Sequence, residues 1–148
     1  MKKQIIAAVA TLSLIVAVTI TSFAALTKPF SANIPFDFMV NGKQLPAGNY
    51  IITEGTAKGA ILIRNWQKCA AAISLVTNGI EKEEVMPRLV FHRYGNQIFL
   101  AQVYDGTRGR DLPRSKAERE AAARAGKDHL AMNNAEPEVI TVIAQVGQ

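Results

Sequence analysis

Short apolar runs separated by turn residues follow one another along most of the chain. Over 34–40, apolar and polar positions alternate with a period of two, which is typical of a half-buried β-strand. Further runs over 50–53, 60–66 and 69–77 are bounded by glycine, proline or asparagine, the residues that favour turns. A last run, rich in β-branched residues, covers 138–146. The pattern therefore predicts a mainly β fold.

Residues 88–104 carry the strongest local signal, that of a β-hairpin. Gly95-Asn96 stands between two apolar runs, and a two-residue loop of this kind joins antiparallel strands. With that loop, His92 lies opposite Phe99. Both faces of the hairpin carry apolar side chains: Leu89, Phe91, Ile98 and Leu100 on one face, and Val90, Phe99, Ala101 and Val103 on the other. We therefore expect the hairpin to be central in a sheet or covered on both sides.

The period becomes helical over 113–126. Ser115 followed by Glu118 forms a capping box, and Gly126 is placed to end the helix. The apolar stripe consists of alanine alone: Ala117, Ala121 and Ala125. Because an alanine stripe packs weakly, we expect a surface helix that is available to a partner.

The number and spacing of these elements define the expected fold. We predict a small antiparallel β-sandwich or barrel of about seven strands, with one surface α-helix near the C-terminus. It forms one domain over 25–148. The sequence leaves the choice between sandwich and barrel open.

The first 24 residues differ from the rest in composition. Two lysines precede an apolar stretch over 5–20, and two small residues, Ser22 and Ala24, stand just before a cut after residue 24. We therefore predict a secretory signal peptide over 1–24 and a protein exported to the periplasm, the cell surface or the extracellular space. An uncleaved anchor is the alternative, because 5–26 is just long enough to span a bilayer. After cleavage we expect no transmembrane segment.

Export also changes the charge of the chain. Its 148 residues include 17 Lys and Arg against 12 Asp and Glu, a formal net charge of +5 that falls to +3 without the two lysines of the signal peptide. The most distinctive polar feature is a run of cations that could bind an anionic partner: Arg108, Arg110, Arg114, Lys116 and Arg119. The alternative is a solvated segment, because acidic residues are mixed with these cations. We expect no nucleic-acid partner, since aromatic residues do not interleave with the cluster.

The inventory of reactive side chains is small. Two histidines and one cysteine leave little for a metal cluster or a disulfide framework. His92 is expected to pack in the hairpin with one hydrogen bond, and His129 to be solvated. Cys69 lies in an apolar run of small residues, so we expect a buried free thiol.

The sequence indicates no enzyme class. It has no G-x-S-x-G nucleophile elbow and no glycine-rich phosphate loop. Asp37 and Asp105 are the carboxylates that acid–base chemistry would use, but Asp105 precedes Gly106 and is expected in a turn. We predict no catalytic residue, no metal and no cofactor, and rank a hydrolase-like enzyme last.

One block, 34–50, reads IPFDFMVNGKQLPAGNY. It resembles the IPFxFxVxGKxLPAGxY block of small exported bacterial proteins of unknown function that recur especially in acidobacteria. Its last six residues, 45–50, are similar to the turn into a strand in prealbumin-like and carboxypeptidase-regulatory-like β-sandwich modules. The resemblance implies an exported β domain and brings no catalytic residues.

Two functions of different classes follow from these observations. The favoured one is a non-catalytic exported β domain that binds a protein or another component of the cell envelope, with a homo-oligomer left open. The alternative is a carrier of a small apolar ligand inside the β fold. Its pocket would be lined by five side chains: Phe36, Phe38, Phe91, His92 and Phe99.

Overall fold

The computed structural model describes residues 29–81, 86–128 and 136–146, and the fold is mainly β. The predicted signal peptide, 1–24, lies outside the described residues. Within these ranges, one α-helix and a series of strands follow in chain order: β1 (Phe30–Ile34), β2 (Phe38–Val40), β3 (Lys43–Leu45), β4 (Gly48–Glu54), β5 (Ala60–Asn65), β6 (Ala70–Leu75), β7 (Thr77–Glu81), β8 (Arg88–Tyr94), β9 (Gln97–Tyr104), β10 (Arg108–Asp111), α1 (Lys116–Asp128), β11 (Glu138–Ile143) and β12 (Gln145–Val146).

The strands form two sheets. The first sheet has the order β12-β1-β4-β5-β6, and all its described pairs are antiparallel. The second has the order β11-β8-β9-β10-β7, again antiparallel. β2 joins the second sheet through a parallel pairing of Met39 with Phe99, and β3 pairs with β2. Of the sandwich and the barrel that the sequence left open, the structure is a sandwich, antiparallel apart from this one parallel contact among the described pairs. Its described residues form twelve strands, where the sequence predicted about seven.

Two strands pass from one sheet to the other at corners. After Val76, β6 continues as β7 in the second sheet, and after Ala144, β11 continues as β12 in the first. Backbone hydrogen bonds hold both corners: the amide of Val76 donates to the carbonyl of Gly59 and that of Ala144 to the carbonyl of Pro87, each at 2.8 Å. The sandwich is therefore linked through the chain at both sides, as in sheets that share corner strands.

The main core lies between the two sheets. Three aromatic rings meet edge to face at its centre: Phe38 lies 5.2 Å from Tyr50 and 5.4 Å from Phe91, measured between ring centroids. The hydroxyl of Tyr50 donates to the carbonyl of Pro46 at 2.6 Å, so this buried polar group is satisfied. Aliphatic side chains of both sheets complete the core: Ile34, Leu45, Ile52, Ile61, Ile63, Leu89 and Val103.

The predicted single strand over 34–40 is two strands, β1 and β2, in different sheets. Pro35, which has no amide hydrogen to give to a ladder, stands at the break. Asp37 accepts a hydrogen bond from the amide of Ala47 at 2.7 Å. Burial still alternates along the whole segment, so the period of two predicted the buried side chains and not the pairing.

The run predicted over 69–77 also continues further than expected. The strand does not end at Asn78-Gly79, because the chain bends at Val76 and β7 then pairs with β10 through Thr77 and Asn78. A glycine inside a strand weakens it without forbidding the pairing.

The predicted hairpin is confirmed as β8 and β9, with His92 opposite Phe99. Gly95 has φ = 62°, as the first central residue of a type II′ turn requires. Opposite Val90 and Phe91, a bulge in β9 leaves Ala101 without a partner and shifts the register. It moves Val103 to the face predicted for Leu89, so the expectation that Val103 shares a face with Phe99 is wrong.

The predicted helix is confirmed as α1, which lies against the side of β8 and β9 that points away from the main core. The hydroxyl of Ser115 accepts a hydrogen bond from the amide of Glu118 at 3.2 Å, the N-cap expected from the sequence. The helix continues past Gly126, so the end predicted there is wrong; a helix tolerates an interior glycine at a cost of about 1 kcal/mol. The hairpin is therefore covered on both faces, by the core and by the alanine stripe that packs on Tyr94 and Phe99.

Candidate binding surface

The face of the first sheet that points away from the core carries large apolar side chains in contact with water. Trp66 is 65% exposed, Leu75 64% and Ile73 54%. Ile51 is exposed and Leu62 half-buried on neighbouring strands. These five residues are called the outer face below.

The strand register brings these side chains together. Opposite residues of an antiparallel pair point to the same side, and Leu62 pairs with both Thr53 and Ile73. Ile51 pairs with Arg64 in the same way, and Leu75 lies two residues beyond Ile73. The outer face therefore runs continuously across β4, β5 and β6.

β6 is oriented against the hydrophobicity of its own side chains. It buries Ala72 and Ser74, which are 7% and 2% exposed, and it exposes Ile73 and Leu75. A register shift of one residue would exchange the two sets. β5 also exposes an apolar side chain, because it carries apolar residues on both of its faces. Ile61 and Ile63 are buried, while Leu62 faces outward.

The charges near the outer face are basic. The guanidinium carbon of Arg64 lies 4.4 Å from the ring centroid of Trp66, a cation–π contact. Lys58 lies exposed in the turn between β4 and β5, and Lys68 in the turn between β5 and β6, where its Nζ donates to the carbonyl of Ala47 at 2.6 Å. Within the described residues of β4, β5 and β6, the outward positions carry no carboxylate.

The sequence-predicted cation cluster is divided between a strand and a helix. Arg110 lies 2.6 Å from a carboxylate oxygen of Glu54 and 3.5 Å from one of Asp105, measured from its Nη2. Arg114 and Lys116 each face a carboxylate within 4 Å: Glu118 at 3.9 Å and Glu120 at 3.8 Å. Arg108 is exposed on β10 and Arg119 on α1. Arg110, Arg114 and Lys116 are thus engaged within the protein.

The five aromatic and histidine residues predicted to line a pocket lie on two sides of the second sheet. Phe36, Phe38 and Phe91 pack with one another in the main core, whereas Phe99 and His92 lie on the face covered by α1. A cleft between the sheets has a volume of about 10 Å³, which is space for about one water molecule. It is lined by Phe30, Ile52, Thr53, Glu54, Ile61, Val103, Asp105 and Arg110.

A polar cluster joins α1 to the sheet. The Nδ1 atom of His92 lies 3.1 Å from Oε1 of Glu118, whose side chain is only 5% exposed. The hydroxyl of Tyr94 is buried without a hydrogen-bond partner. The pKa of Tyr94 is raised above its ordinary value, mainly by burial. The charge of Arg114 opposes this shift, and that of Glu118 adds to it. His92 is packed with one hydrogen bond, as the sequence predicted, and His129 lies outside the described residues.

Asp105 organises the turn between β9 and β10. One of its carboxylate oxygens accepts hydrogen bonds from the amides of Thr107 and Arg108 and from the hydroxyl of Thr107, at 2.7 to 3.0 Å. Burial alone would raise the pKa of Asp105, but these hydrogen bonds and the nearby Arg110 outweigh burial and hold the pKa below its ordinary value. The turn predicted at Asp105-Gly106 is confirmed.

Cys69 is exposed and free, so the expected buried thiol is wrong. It ends the turn Trp66–Cys69 with φ = 48°, one residue before β6 begins. The strand starts later than the apolar pattern suggested, and the turn carries the cysteine into solvent.

The outer face is the feature that sequence reasoning missed. Along β6, the larger apolar side chains of Ile73 and Leu75 suggest that these two residues are buried. The sequence of one strand alone does not show which of its two faces packs against the core. The sequence signal that was present lies in β5, where apolar residues occur on both faces of the strand. Such a strand is expected to be covered on both sides.

Comparisons with known proteins add no assignment: no family model, no curated protein and no solved structure matches the chain. The resemblance drawn from 34–50 therefore stays a prediction. Within the described part of the chain, no group of three or more His, Cys, Asp or Glu side chains could hold a metal ion. The described helix is too short and too polar to cross a membrane.

Proposed function

We propose that this protein is a non-catalytic exported module that binds a component of the cell envelope through its outer face. One observation carries the proposal: β6 buries alanine and serine while it exposes isoleucine and leucine. Exposed apolar surface is unfavourable in water by about 25 cal/mol per Å², and contiguous patches mark interaction sites. A partner that covers Ile73, Leu75 and Trp66 would remove this cost.

Export is part of the proposal and rests on the charged, apolar and small-residue segments of the first 24 residues. The resemblance of 34–50 to small exported bacterial proteins is consistent with it. A binding role is favoured over catalysis, because the described histidine–carboxylate pair, His92 and Glu118, lies beneath α1 and joins it to the sheet. The cleft described between the two sheets gives the carrier hypothesis no comparable support, since its space for about one water is far smaller than ligand pockets of about 300–1,000 Å³.

The test is fractionation of a bacterium that exports the protein. We expect wild-type protein in the envelope fraction and Ile73→Asp in the soluble fraction, because the carboxylate prevents burial of the outer face. Val139→Asp is the matched control: Val139 is a similarly exposed apolar residue on β11, in the other sheet. Equal partition of wild type and both variants would contradict the proposal.

A further inference from the structure

Resting on the proposed function, we infer that the component bound by the outer face is the surface of a bilayer that contains anionic lipids. The outer face offers two kinds of contact, apolar side chains and cations. Membrane-surface binding uses the same pair, since buried apolar area and attraction to anionic headgroups add together.

The sign of the charge selects an anionic partner. Arg64 lies between Leu62 and Trp66 of the outer face, and Lys58 and Lys68 lie in the turns that flank β5. A second copy of the chain would bring the same cations against one another in a symmetric contact, which places like charges together. Charge complementarity therefore favours an acidic surface over self-association.

The shortage of hydrogen-bonding groups favours lipid over an acidic protein. Protein interfaces carry roughly one hydrogen bond per 100–200 Å². Along the outward positions of β6 the side chains are those of Ala71, Ile73 and Leu75, none of which can donate or accept. The boundary between headgroups and acyl chains needs no directional partner and accommodates such a strand.

Trp66 and Arg64 have the chemistry of that boundary. Tryptophan is enriched where a membrane meets water, because its ring is apolar and its indole N–H is polar. Arginine can lay its stem along apolar surface while its guanidinium reaches a phosphate. Here the guanidinium already lies over the ring, 4.4 Å from its centroid. The two side chains can thus enter the headgroup region together, beside Ile73 and Leu75.

The experiment uses the exported, processed protein and vesicles of two compositions. One set contains phosphatidylcholine alone and the other equal parts of phosphatidylcholine and phosphatidylglycerol. Trp66 is the only tryptophan of the chain, so its fluorescence reports on the outer face without a label. We expect a blue shift and co-sedimentation with the anionic vesicles, and binding to the neutral vesicles that is weaker by about tenfold or more, since each basic residue near an anionic surface contributes about fivefold.

Variants separate the apolar from the electrostatic contribution. Ile73→Asp and Leu75→Asp should each weaken binding to the anionic vesicles by about tenfold or more, because an apolar contact is replaced by a carboxylate. Arg64→Gln should weaken it by about fivefold and reduce its dependence on salt. Val139→Asp should bind like wild type. Circular dichroism checks that every variant is folded.

The outcomes distinguish this inference from the proposed function. If Ile73→Asp leaves the envelope fraction while wild-type protein ignores both kinds of vesicle, the lipid inference is overturned and a protein partner takes its place. If wild-type protein sediments as a dimer that Ile73→Asp dissociates, the partner is a second copy and the inference is likewise overturned. If neither vesicles nor the envelope fraction retain the protein, both the inference and the proposed function fail.

Discussion

Beneath the ring of Tyr104, the backbone of Gly109 leaves no room for a side chain. The two residues are partners in the β9–β10 ladder, and a Cβ atom on Gly109 would lie 2.6 Å from Cε2 of that ring. Arg88 packs on the same ring, with its guanidinium carbon 4.4 Å from the ring centroid. Space, and not backbone conformation, thus requires glycine at this position.

Gly109→Ala should therefore destabilise the protein by about 2 kcal/mol, the usual cost of forcing an added methyl group into a packed site. Gly126→Ala is the control, because a Cβ there meets nothing within 4 Å and alanine favours a helix by about 1 kcal/mol over glycine. Urea unfolding measures both. A neutral or stabilising effect of Gly109→Ala would show that the Tyr104 ring can move aside.

The carboxylate of Asp105 makes stability depend on pH. Its pKa in the folded protein lies below the ordinary value of 3.8, so the stability it contributes is present above pH 3.8 and is lost as the pH falls through the folded pKa. Asp105→Asn should cost about 2 kcal/mol at neutral pH, since hydrogen bonds to a charged acceptor are lost. The difference from wild type should shrink on acidification, as measured by urea unfolding across pH. A difference that grows at low pH would contradict this account.

At the scale of elements, α1 is attached through few contacts. Ala121 and its alanine neighbours pack on Tyr94 and Phe99, and Glu118 reaches His92. A helix held this way should open more readily than the sheets, because little apolar surface must be exposed.

Glu118→Ala should lower the free energy of opening of α1 by about 1 kcal/mol, because it removes the contact with His92 and the weaker one with Arg114. Hydrogen exchange of the helix amides should accelerate, while that of β8 and β9 stays unchanged. Glu120→Ala is the matched control on the same helix: it removes an exposed pair with Lys116, which is worth about 0.5 kcal/mol or less. Equal effects of the two substitutions would assign the attachment to packing alone.

Local signals explain which elements the sequence could predict. Gly95-Asn96 specifies the register of a hairpin whose strands are neighbours in the chain, and Ser115 specifies the start of α1 through its own hydroxyl. The orientation of β6 has no such local cause. It depends on the pairing of β6 with β5. In the sequence, an apolar residue on the exposed side of a strand looks the same as one that faces the core. The bulge at Ala101, opposite Val90 and Phe91, likewise has no signature in the residues that form it.

The whole molecule depends on contacts that are remote in sequence. β2 pairs with β9, and the corner strands connect the sheets at residues 76 and 144. Such contacts cannot be read from any single window of the chain, which is why the sequence left sandwich and barrel undecided. The outer face has the opposite character, because β4, β5 and β6 are consecutive and are joined by short turns. Its surface is built from one continuous segment, 48–75.

The pairing of β1 with β12 determines when the first sheet can be completed during synthesis of the chain. Phe30 lies opposite Val146, and Ser31 lies opposite Gln145, 114 residues further along the chain. Closing so long a loop is slow, and it cannot begin before those residues exist. A chain that is still emerging from the ribosome lacks the strand that completes its first sheet. The first sheet therefore stays open beside β1 until residues 145 and 146 have been synthesised.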